Sequence, residues 1–228
     1  FRAVVAGKAG DTAQIETGAV VVATGALPHQ PALFGYGGND RVVSQLDLTE
    51  RLASNEPVPG RVVMIQCVGA MGDGDRTYCS RICCATALKN AKLLKESDPG
   101  REIYILYRHM QAYGDELEEL YRAVRKMGVT FIEYSLDSKP EVKEGFVEVY
   151  EESVQHNLKI PADLIVLATP LIGRSDSKEL AQTLKVPRDA SGFFLEAHVK
   201  LRPVDFATDG VYVCGTCHWP KSLPESFS

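Results

Sequence analysis

The chain has 228 residues, a formal net charge of −5 at pH 7, and hydrophobic residues at 45% of its positions. This composition is typical of a globular protein with one core or two modest ones, and no apolar run is long enough to span a bilayer. The mildly acidic balance argues against a broad nucleic-acid-binding surface. The start FRAVVAGKAG has no features of a signal peptide. We therefore expect a cytoplasmic protein that neither binds nucleic acid nor inserts into a membrane. The missing initiator Met and the ending SLPESFS indicate a piece of a longer polypeptide.

The first sixty residues predict a hairpin, a buried strand and a short helix. The segment 4–17 is polar, with a turn at 7–11, and predicts a hairpin. The continuous apolar run 19–23 is typical of a strand buried on both faces. A helix is expected over 46–53, and the Pro- and Gly-containing segment 55–60 has the composition of a boundary.

Residues 61–134 carry the alternation of strands and helices that defines a parallel sheet. Apolar strands are predicted at 61–66, 102–107 and 129–134, and amphipathic helices at 80–96 and 115–127, with Asp115 as the N-cap of the second helix. The order β-α-β-α-β requires parallel pairing and favours an α/β fold with a doubly wound sheet. An antiparallel excursion at 142–160 returns through 162–169, and further short strands are expected at 192–194 and 210–214.

Two segments of the chain repeat one another. IETGAVVVATG at 15–25 and IPADLIVLATP at 160–170 follow the same pattern. In each, a few residues lead into an apolar run that is predicted to be a buried strand, and Ala-Thr-Gly or Ala-Thr-Pro follows the run. The echo predicts two related dinucleotide-binding units, each of which closes an antiparallel excursion with this strand. Because the chain opens inside the first excursion, we expect the first unit to be truncated, without its own glycine-rich β-α start.

Four of the six cysteines fall within the stretch CVGAMGDGDRTYCSRICC, which begins at Cys67 after a predicted strand. Cys79 and Cys83 are one helical turn apart and share a face, and Cys84 is turned about 100° from Cys83. Cys67 lies at the carboxyl end of its strand, where ligand sites in open α/β sheets collect. Four thiolates placed in this way suit a [4Fe–4S] cluster, which needs four sulfur ligands.

Other interpretations of the cysteine cluster remain open. A structural zinc site would use the same residue type, but only half of the usual spacing is present. A redox disulfide or plain buried thiols are the simplest alternatives. The glycines 69, 72 and 74 do not have the order or spacing of G-x-G-x-x-G, so pyrophosphate binding by the usual geometry is not expected.

The sequence resembles the A-type subunit of heterodisulfide reductase, which contains flavin and iron–sulfur clusters. The matching phrases run in family order from about Ile15 to the end, and the combination of IQCVG with YCSRICC is the most specific. The matching phrases are GAVVVATG, FGYGGNDRVVS, VMIQCVGA, YCSRICCATALKNA, IYILYRHMQAYG and GFFLEAHVKLRPVDFATDGVYVCGTCHWPKSLPES. The loop GAMGDGDRT departs from the polar GSR type of the family.

The resemblance implies a thioredoxin-reductase-like architecture with two dinucleotide-binding-type domains. It implies an FAD-binding domain from 1–54 and 190–228, a second Rossmann-like domain at 60–170 with the cysteines, and a connection at 171–189. The implied cofactors are FAD in the whole protein and a [4Fe–4S] cluster. The implied cluster ligands are Cys67, Cys79, Cys83 and Cys84, and the implied FAD surround contains Thr24, Gly25, Gly215, Thr216 and Lys221.

The resemblance also implies a role in electron transfer as an oxidoreductase component, with the cluster as one relay. Its partners would be other subunits of a heterodisulfide-reductase-like complex, an oligomer is possible, and the piece alone is expected to be inactive. Alternatives are a non-catalytic docking or assembly module and an NAD(P)H-dependent reductase domain. Cys214 and Cys217 form a C-x-x-C pattern, but Cys214 ends an apolar strand and is interpreted as a core residue.

Overall fold

The computed structural model describes residues 1–7 and 10–227, and these divide into two compact units. Unit 1 comprises Phe1–Leu27 with Leu171–Ser228, and unit 2 is the continuous stretch Pro28–Pro170. The predicted turn at 7–11 falls partly on residues 8 and 9, outside the described residues. No helix in the described part of the chain is long and apolar enough to cross a membrane. The cytoplasmic location stays a prediction.

The secondary structure follows the predicted order closely. The strands are β1 Arg2–Ala6, β2 Thr12–Glu16, β3 Val20–Val22, β4 Leu27–Pro28, β5 Val42–Ser44, β6 Arg61–Ile65, β7 Glu102–Tyr107, β8 Thr130–Glu133, β9 Glu141–Val142, β10 Phe146–Glu151, β11 His156–Pro161, β12 Leu164–Leu167, β13 Leu171–Ile172 and β14 Val211–Val213. The helices are α1 Gln45–Ala53, α2 Ile82–Ser97, α3 Asp115–Lys126, α4 Ser177–Leu184 and α5 Leu223–Phe227, with a 3₁₀ turn at Gly215–Cys217.

Unit 2 is built on a five-stranded parallel sheet with the strand order β5-β12-β6-β7-β8. The apolar runs predicted as buried strands form its centre: residues 62–65 of β6 and 164–167 of β12 are all buried. One face packs against the three helices α1, α2 and α3, through residues such as Leu48, Leu88 and Val124. The predicted α/β fold with a parallel sheet is confirmed.

The antiparallel excursion covers the other face of this sheet. Strands β9, β10 and β11 form a three-stranded antiparallel sheet, and Val147, Val149 and Ile160 pack with Val63 and Ile65. A small sheet therefore occupies the face on which many doubly wound folds carry helices. The ends of unit 2 meet, since the His29 N–H donates to the Pro170 carbonyl at 2.8 Å.

Unit 1 contains the β1–β2 hairpin and a parallel pair formed by β3 and β14. Its core contains Val22, Val213, Phe194 and Phe206, with the last two rings edge to face. In both units an antiparallel excursion precedes the return strand, β3 or β12, as the sequence echo predicts. The boundaries of the domains in the whole protein stay a prediction; in this structure β5 and α1 lie in unit 2.

Three predictions about secondary structure and burial were wrong. No strand forms over 192–194, where Phe194 makes only an isolated antiparallel bridge with Arg188. Asp115 is the first residue of α3 and not its N-cap; Gly114, at φ 83°, holds that position and makes no side-chain cap. The run 19–23 is not buried on both faces, because Val21 is 61% exposed in the middle of β3. The reason is that β3 belongs to a sheet of two strands, of which only the Val22 side packs into a core.

Candidate functional site

Cys67 follows the carboxyl end of the central strand β6 in a strained conformation. Its φ is 62°, in the left-handed region that residues other than glycine rarely adopt. The backbone on either side is held in place: the Tyr134 hydroxyl donates to the Gln66 carbonyl, and the Val68 N–H donates to the Ala168 carbonyl. Cys67 is only 4% exposed, so the thiol that follows β6 lies in the interior of unit 2.

Arg108 is hydrogen-bonded to the loop that follows Cys67. Its guanidinium donates to the carbonyl oxygens of Cys67, Ala70 and Met71, at 3.4, 2.5 and 3.0 Å. These contacts attach the loop to the residue directly after β7, and the Arg108 side chain is almost fully buried. A buried cation held by neutral carbonyl groups keeps its charge available to an anion in the same region.

The loop from Gly69 to Tyr78 is folded back on itself through backbone hydrogen bonds. The Met71 N–H donates to Tyr78 O and the Gly72 N–H to Arg76 O, so two backbone N–H groups are used within the loop. Gly69 offers no space for a ligand, because a Cβ there would lie 2.7 Å from the ring of His29. The expectation that pyrophosphate does not bind here by the usual geometry stays a prediction.

The cysteines after the loop lie at the start of α2. Arg81 occupies the N-cap position at φ 60° and makes no side-chain cap, and its N–H donates to Cys79 Sγ at 3.3 Å. Cys84 is 1% exposed and lies on the helix face that carries Ala87, Leu88 and Ala91, whereas Cys83 is half-buried. The helix start therefore adds further thiols to the one at the strand end.

The four thiols are close enough to shift one another's pKa. Burial and then Cys84 raise the pKa of Cys67, and burial raises the pKa of Cys79. The Cys83 thiol donates a hydrogen bond to Cys84, which raises the pKa of Cys83 and lowers that of Cys84 to about 7. The predicted ligands are thus brought together in one group, in which Cys67 and Cys84 are buried and Cys79 and Cys83 are half-buried.

The chemistry of this donor set fits an iron–sulfur cluster. All six cysteines are free, so no disulfide consumes the thiols. Within residues 1–7 and 10–227, no three His, Cys, Asp or Glu side chains already stand in a metal-binding arrangement. The thiols are gathered but their sulfur atoms are not positioned as ligands around a centre.

Sequence reasoning missed the residues that hold the cysteine loop. Asp73 accepts from the Gly69 N–H at 2.8 Å and from Lys139 Nζ at 2.6 Å, and Arg108 holds the carbonyls. Gln66 is fully buried beside Cys67. The available signal was weak: a charged or amide residue at the end of an apolar strand, as in Ile65-Gln66 and Tyr107-Arg108.

The residues predicted to surround FAD lie in unit 1, and several are neighbours. Gly25 and Gly215 have φ of 73° and 71°, and a Cβ at Gly25 would lie 3.8 Å from Thr216 Oγ1. A Cβ at Gly215 would meet nothing within 4 Å. The open space beside Gly215 lets another group approach its backbone, as a dinucleotide requires. Thr24 directly precedes Gly25, between β3 and β4.

Lys221 belongs to a polar chain of three side chains. Its Nζ lies 3.0 Å from Nδ1 of His218, and Nε2 of His218 lies 2.7 Å from Glu196 Oε2. Burial raises the pKa of Glu196, but the hydrogen bond from His218, a backbone hydrogen bond and the charges of His218 and Lys221 together outweigh burial, and the pKa falls below its ordinary value. The His218 N–H also donates to the Gly215 carbonyl, which links this chain to the glycine turn.

The interpretation of Cys214 as a core residue was wrong. Cys214 is exposed, whereas Cys217 is 2% exposed and its thiol donates to the carbonyls of Val22 and Cys214. Strand alternation explains the difference: Val211 and Val213 point inward, so Tyr212 and Cys214 point outward.

The family model described as pyridine nucleotide-disulphide oxidoreductase matches residues 2–228. The chain therefore belongs to this oxidoreductase family. It is 36% identical over 232 residues to the A-type subunit of the H(2)/formate:CoB-CoM heterodisulfide,ferredoxin reductase of Methanococcus maripaludis, covering 93% of this chain and 35% of that protein. It is also 36% identical over 233 residues to the A-type iron-sulfur subunit of the CoB--CoM heterodisulfide reductase of Methanocaldococcus jannaschii, covering 93% and 36%. The predicted resemblance is confirmed, and the chain spans about a third of the length of these relatives.

Solved structures support the fold. The HOCl-induced flavoprotein disulfide reductase RclA from Escherichia coli, in its Cu(II) complex, matches with a TM-score of 0.58 at 14% identity, covering 99% of this chain and 45% of that one. The thioredoxin reductase of T. acidophilum matches with a TM-score of 0.54 at 15% identity, covering 90% and 60%. The predicted thioredoxin-reductase-like architecture is therefore confirmed.

Proposed function

We propose that the chain is part of an electron-transfer protein of the heterodisulfide reductase A type, in which Cys67, Cys79, Cys83 and Cys84 hold a [4Fe–4S] cluster. The observation that carries the proposal is the gathering of these thiols at one strand end and one helix start. A bound [4Fe–4S] cluster supplies one-electron transfer. The printed names of the relatives, one of them an iron-sulfur subunit, support the assignment.

The residues around the thiols prepare the site for an anionic group. Burial of Cys67 and Cys84 excludes water from the sulfur atoms. The Arg108 guanidinium holds the loop by donating hydrogen bonds to the carbonyls of Met71 and Ala70, and it places a positive charge beside the loop. Asp73, bound to Lys139, holds the Gly69 N–H and so fixes the first turn of the loop.

In unit 1 we propose that FAD binds along Thr24, Gly25, Gly215 and Thr216. Gly215 leaves the backbone open to the dinucleotide, and Thr216 offers a hydroxyl next to Gly25. Lys221 would place its ammonium group near the bound flavin, oriented by His218 and Glu196. In the whole protein the partners would be the other subunits of a heterodisulfide-reductase-like complex, which the relatives' names indicate.

The test is the iron and acid-labile sulfide content of protein reconstituted without oxygen. We expect about four irons per chain, because a cubane holds four. Cys83→Ala should lose this iron, since alanine offers no ligand atom. Cys214→Ala is the matched control: it removes an exposed cysteine of unit 1 and should keep the iron of the wild type.

Two results would contradict the proposal. Wild-type protein without iron would favour the docking or assembly module, because the cysteines would then build no cofactor site. Equal iron in Cys83→Ala and wild type would remove Cys83 from the ligand set. A titration with NADPH separates the remaining alternative: we expect no thermal shift, because His29 fills the space beside Gly69 at the end of β6.

A further inference from the structure

Gln66 is a buried amide whose polar side-chain atoms have no partner. The residue is 0% exposed, and neither Nε2 nor Oε1 makes a hydrogen bond to any residue that the structure describes. Its backbone is satisfied, since the N–H donates to Leu106 O at 2.8 Å and the carbonyl accepts from the Tyr134 hydroxyl. Only the side-chain carboxamide of Gln66 therefore lacks hydrogen-bond partners.

Other buried amides of unit 2 are paired. Asn90 Nδ2 donates to Gln45 Oε1 at 2.8 Å and to Thr49 Oγ1 at 3.1 Å, and Gln45 Nε2 lies 3.5 Å from Met64 Sδ. An unpaired buried amide is costly and rare in folded proteins, and such a group often marks a bound ion or another missing partner. We therefore expect the Gln66 carboxamide to form a hydrogen bond with a bound group that is not part of the polypeptide.

The position of Gln66 places its side chain at the cysteine group. Along β6, Val62 and Met64 pack towards the helices, whereas Val63 and Ile65 pack towards the antiparallel sheet. By strand alternation Gln66 points to the helix side with Met64. A helix that connects two parallel strands runs back along the sheet, so the first turn of α2 lies at the carboxyl end of β6. Cys84 occupies the buried face of that turn.

We infer that the Gln66 carboxamide donates a hydrogen bond to a sulfur atom of the bound cluster and thereby tunes its reduction potential. This inference rests on the proposed function, because it requires a cluster. Sulfur atoms that carry negative charge accept hydrogen bonds, and such contacts are a known means of setting cluster potentials. Reduction adds negative charge, so the donor stabilises the reduced cluster and raises the potential.

The test compares Gln66→Leu with wild type in three measurements: iron content, midpoint potential by an EPR-monitored redox titration, and thermal unfolding without iron. We expect unchanged iron and a lower midpoint potential, shifted by the ~59 mV that corresponds to a tenfold change in the reduction equilibrium of a one-electron couple. Without iron, Gln66→Leu should unfold at the wild-type temperature or above it, because an unpaired amide is removed. Gln66→Met serves as a second variant, since its unbranched side chain fits the same space if leucine does not.

Gln45→Leu is the matched control, because it removes a buried amide that has partners. It should lower the unfolding temperature without iron and leave the midpoint potential unchanged. Iron-loaded Gln66→Leu with the wild-type potential would overturn the inference, as would a loss of stability without iron equal to that of Gln45→Leu. Wild-type protein that takes up no iron would overturn the proposed function first, and the inference with it.

Discussion

Asp73 shows how one carboxylate stabilises the cysteine loop. It bridges the Gly69 N–H and the ammonium group of Lys139, and only 11% of its side chain is exposed. Burial alone would raise the pKa of Asp73, but the hydrogen bonds from Lys139 and Gly69 outweigh it, and the pKa is lowered. Because the folded-state pKa lies below the ordinary value, this contribution to stability is present above the ordinary pKa and lost as the pH falls through the folded value.

We expect Asp73→Asn to lower the free energy of unfolding by about 1–3 kcal/mol at pH 7, the usual range for a hydrogen bond to a buried charged group. The difference from wild type should shrink as the pH falls below about 4, where an unperturbed aspartate titrates. Urea unfolding at a series of pH values measures it. Asp75→Asn, an exposed residue of the same loop, is the control and should change little. A difference that is equal at pH 7 and pH 3 would contradict the assigned role of the charge.

At the residue scale, the sequence indicated the cysteines but not their supports. Cysteine spacing is local information, so Cys79, Cys83 and Cys84 could be grouped from their positions along the chain. Lys139 and Arg108 lie 66 and 38 residues from their partners in the loop, and only the sheet brings them together. No local pattern of residues indicates such a pair.

At the scale of elements, α1 begins with a complete capping box. The Ser44 hydroxyl accepts from the Asp47 N–H at 3.1 Å, and the Asp47 carboxylate accepts from the Ser44 N–H at 2.7 Å. Both backbone donors would otherwise lack partners at the start of the helix. This box fixes where α1 leaves β5.

Ser44→Ala should therefore lower the free energy of unfolding by about 1 kcal/mol, the usual loss when an N-cap serine is removed. Chemical denaturation followed by circular dichroism gives the value. Ser54→Ala, at the exposed carboxyl end of the same helix, is the matched control and should be near neutral. Equal losses in the two variants would show that the cap contributes nothing specific.

The elements that the sequence predicted best are the ones buried in unit 2. Continuous apolar runs such as those of β6 and β12 had the length and composition of central strands, and the structure places them at the centre of the sheet. The same pattern misled at β3, because a run of valines indicates hydrophobicity but not how many layers pack against it. Val21 is exposed since the β3–β14 pair packs on one side only.

At the scale of the molecule, burial is distributed unevenly. Every residue of β1 and β2 is exposed, whereas the central strands of unit 2 are almost fully buried. A two-stranded hairpin without a packed face is marginally stable in water. Local opening should therefore cost much less free energy in β1–β2 than in β6 and β12.

Hydrogen exchange monitored by mass spectrometry tests this difference. Peptides that cover β1 and β2 should exchange fully at the earliest times, and peptides from β6 and β12 should be the slowest of the chain. Peptides from β10 and β11, a hairpin that packs on the sheet, provide an internal comparison and should be intermediate. Equal protection of β1–β2 and β6 would show that the hairpin is covered in solution.

The arrangement of the whole sheet was predictable only in part. The alternation over 61–134 required parallel strands, and β6, β7 and β8 are neighbours in chain order. The placement of β12 between β5 and β6 depends on long-range packing that a single sequence does not display. The covering of the second face by β9–β11 has the same origin, since it follows from contacts between Val147, Ile160 and the sheet.

The hydrogen bond between His29 and Pro170 holds the second and last residues of unit 2 next to each other, as in a domain inserted into another chain. Its two ends are adjacent, and its residues form one uninterrupted stretch, whereas unit 1 is assembled from segments on both sides. Units with neighbouring ends are the ones that tolerate transplantation and circular permutation. A gene encoding only Pro28–Pro170 would carry all four clustered cysteines, so their proposed role in iron binding could be studied without unit 1, or the unit could be grafted into a surface loop of another protein.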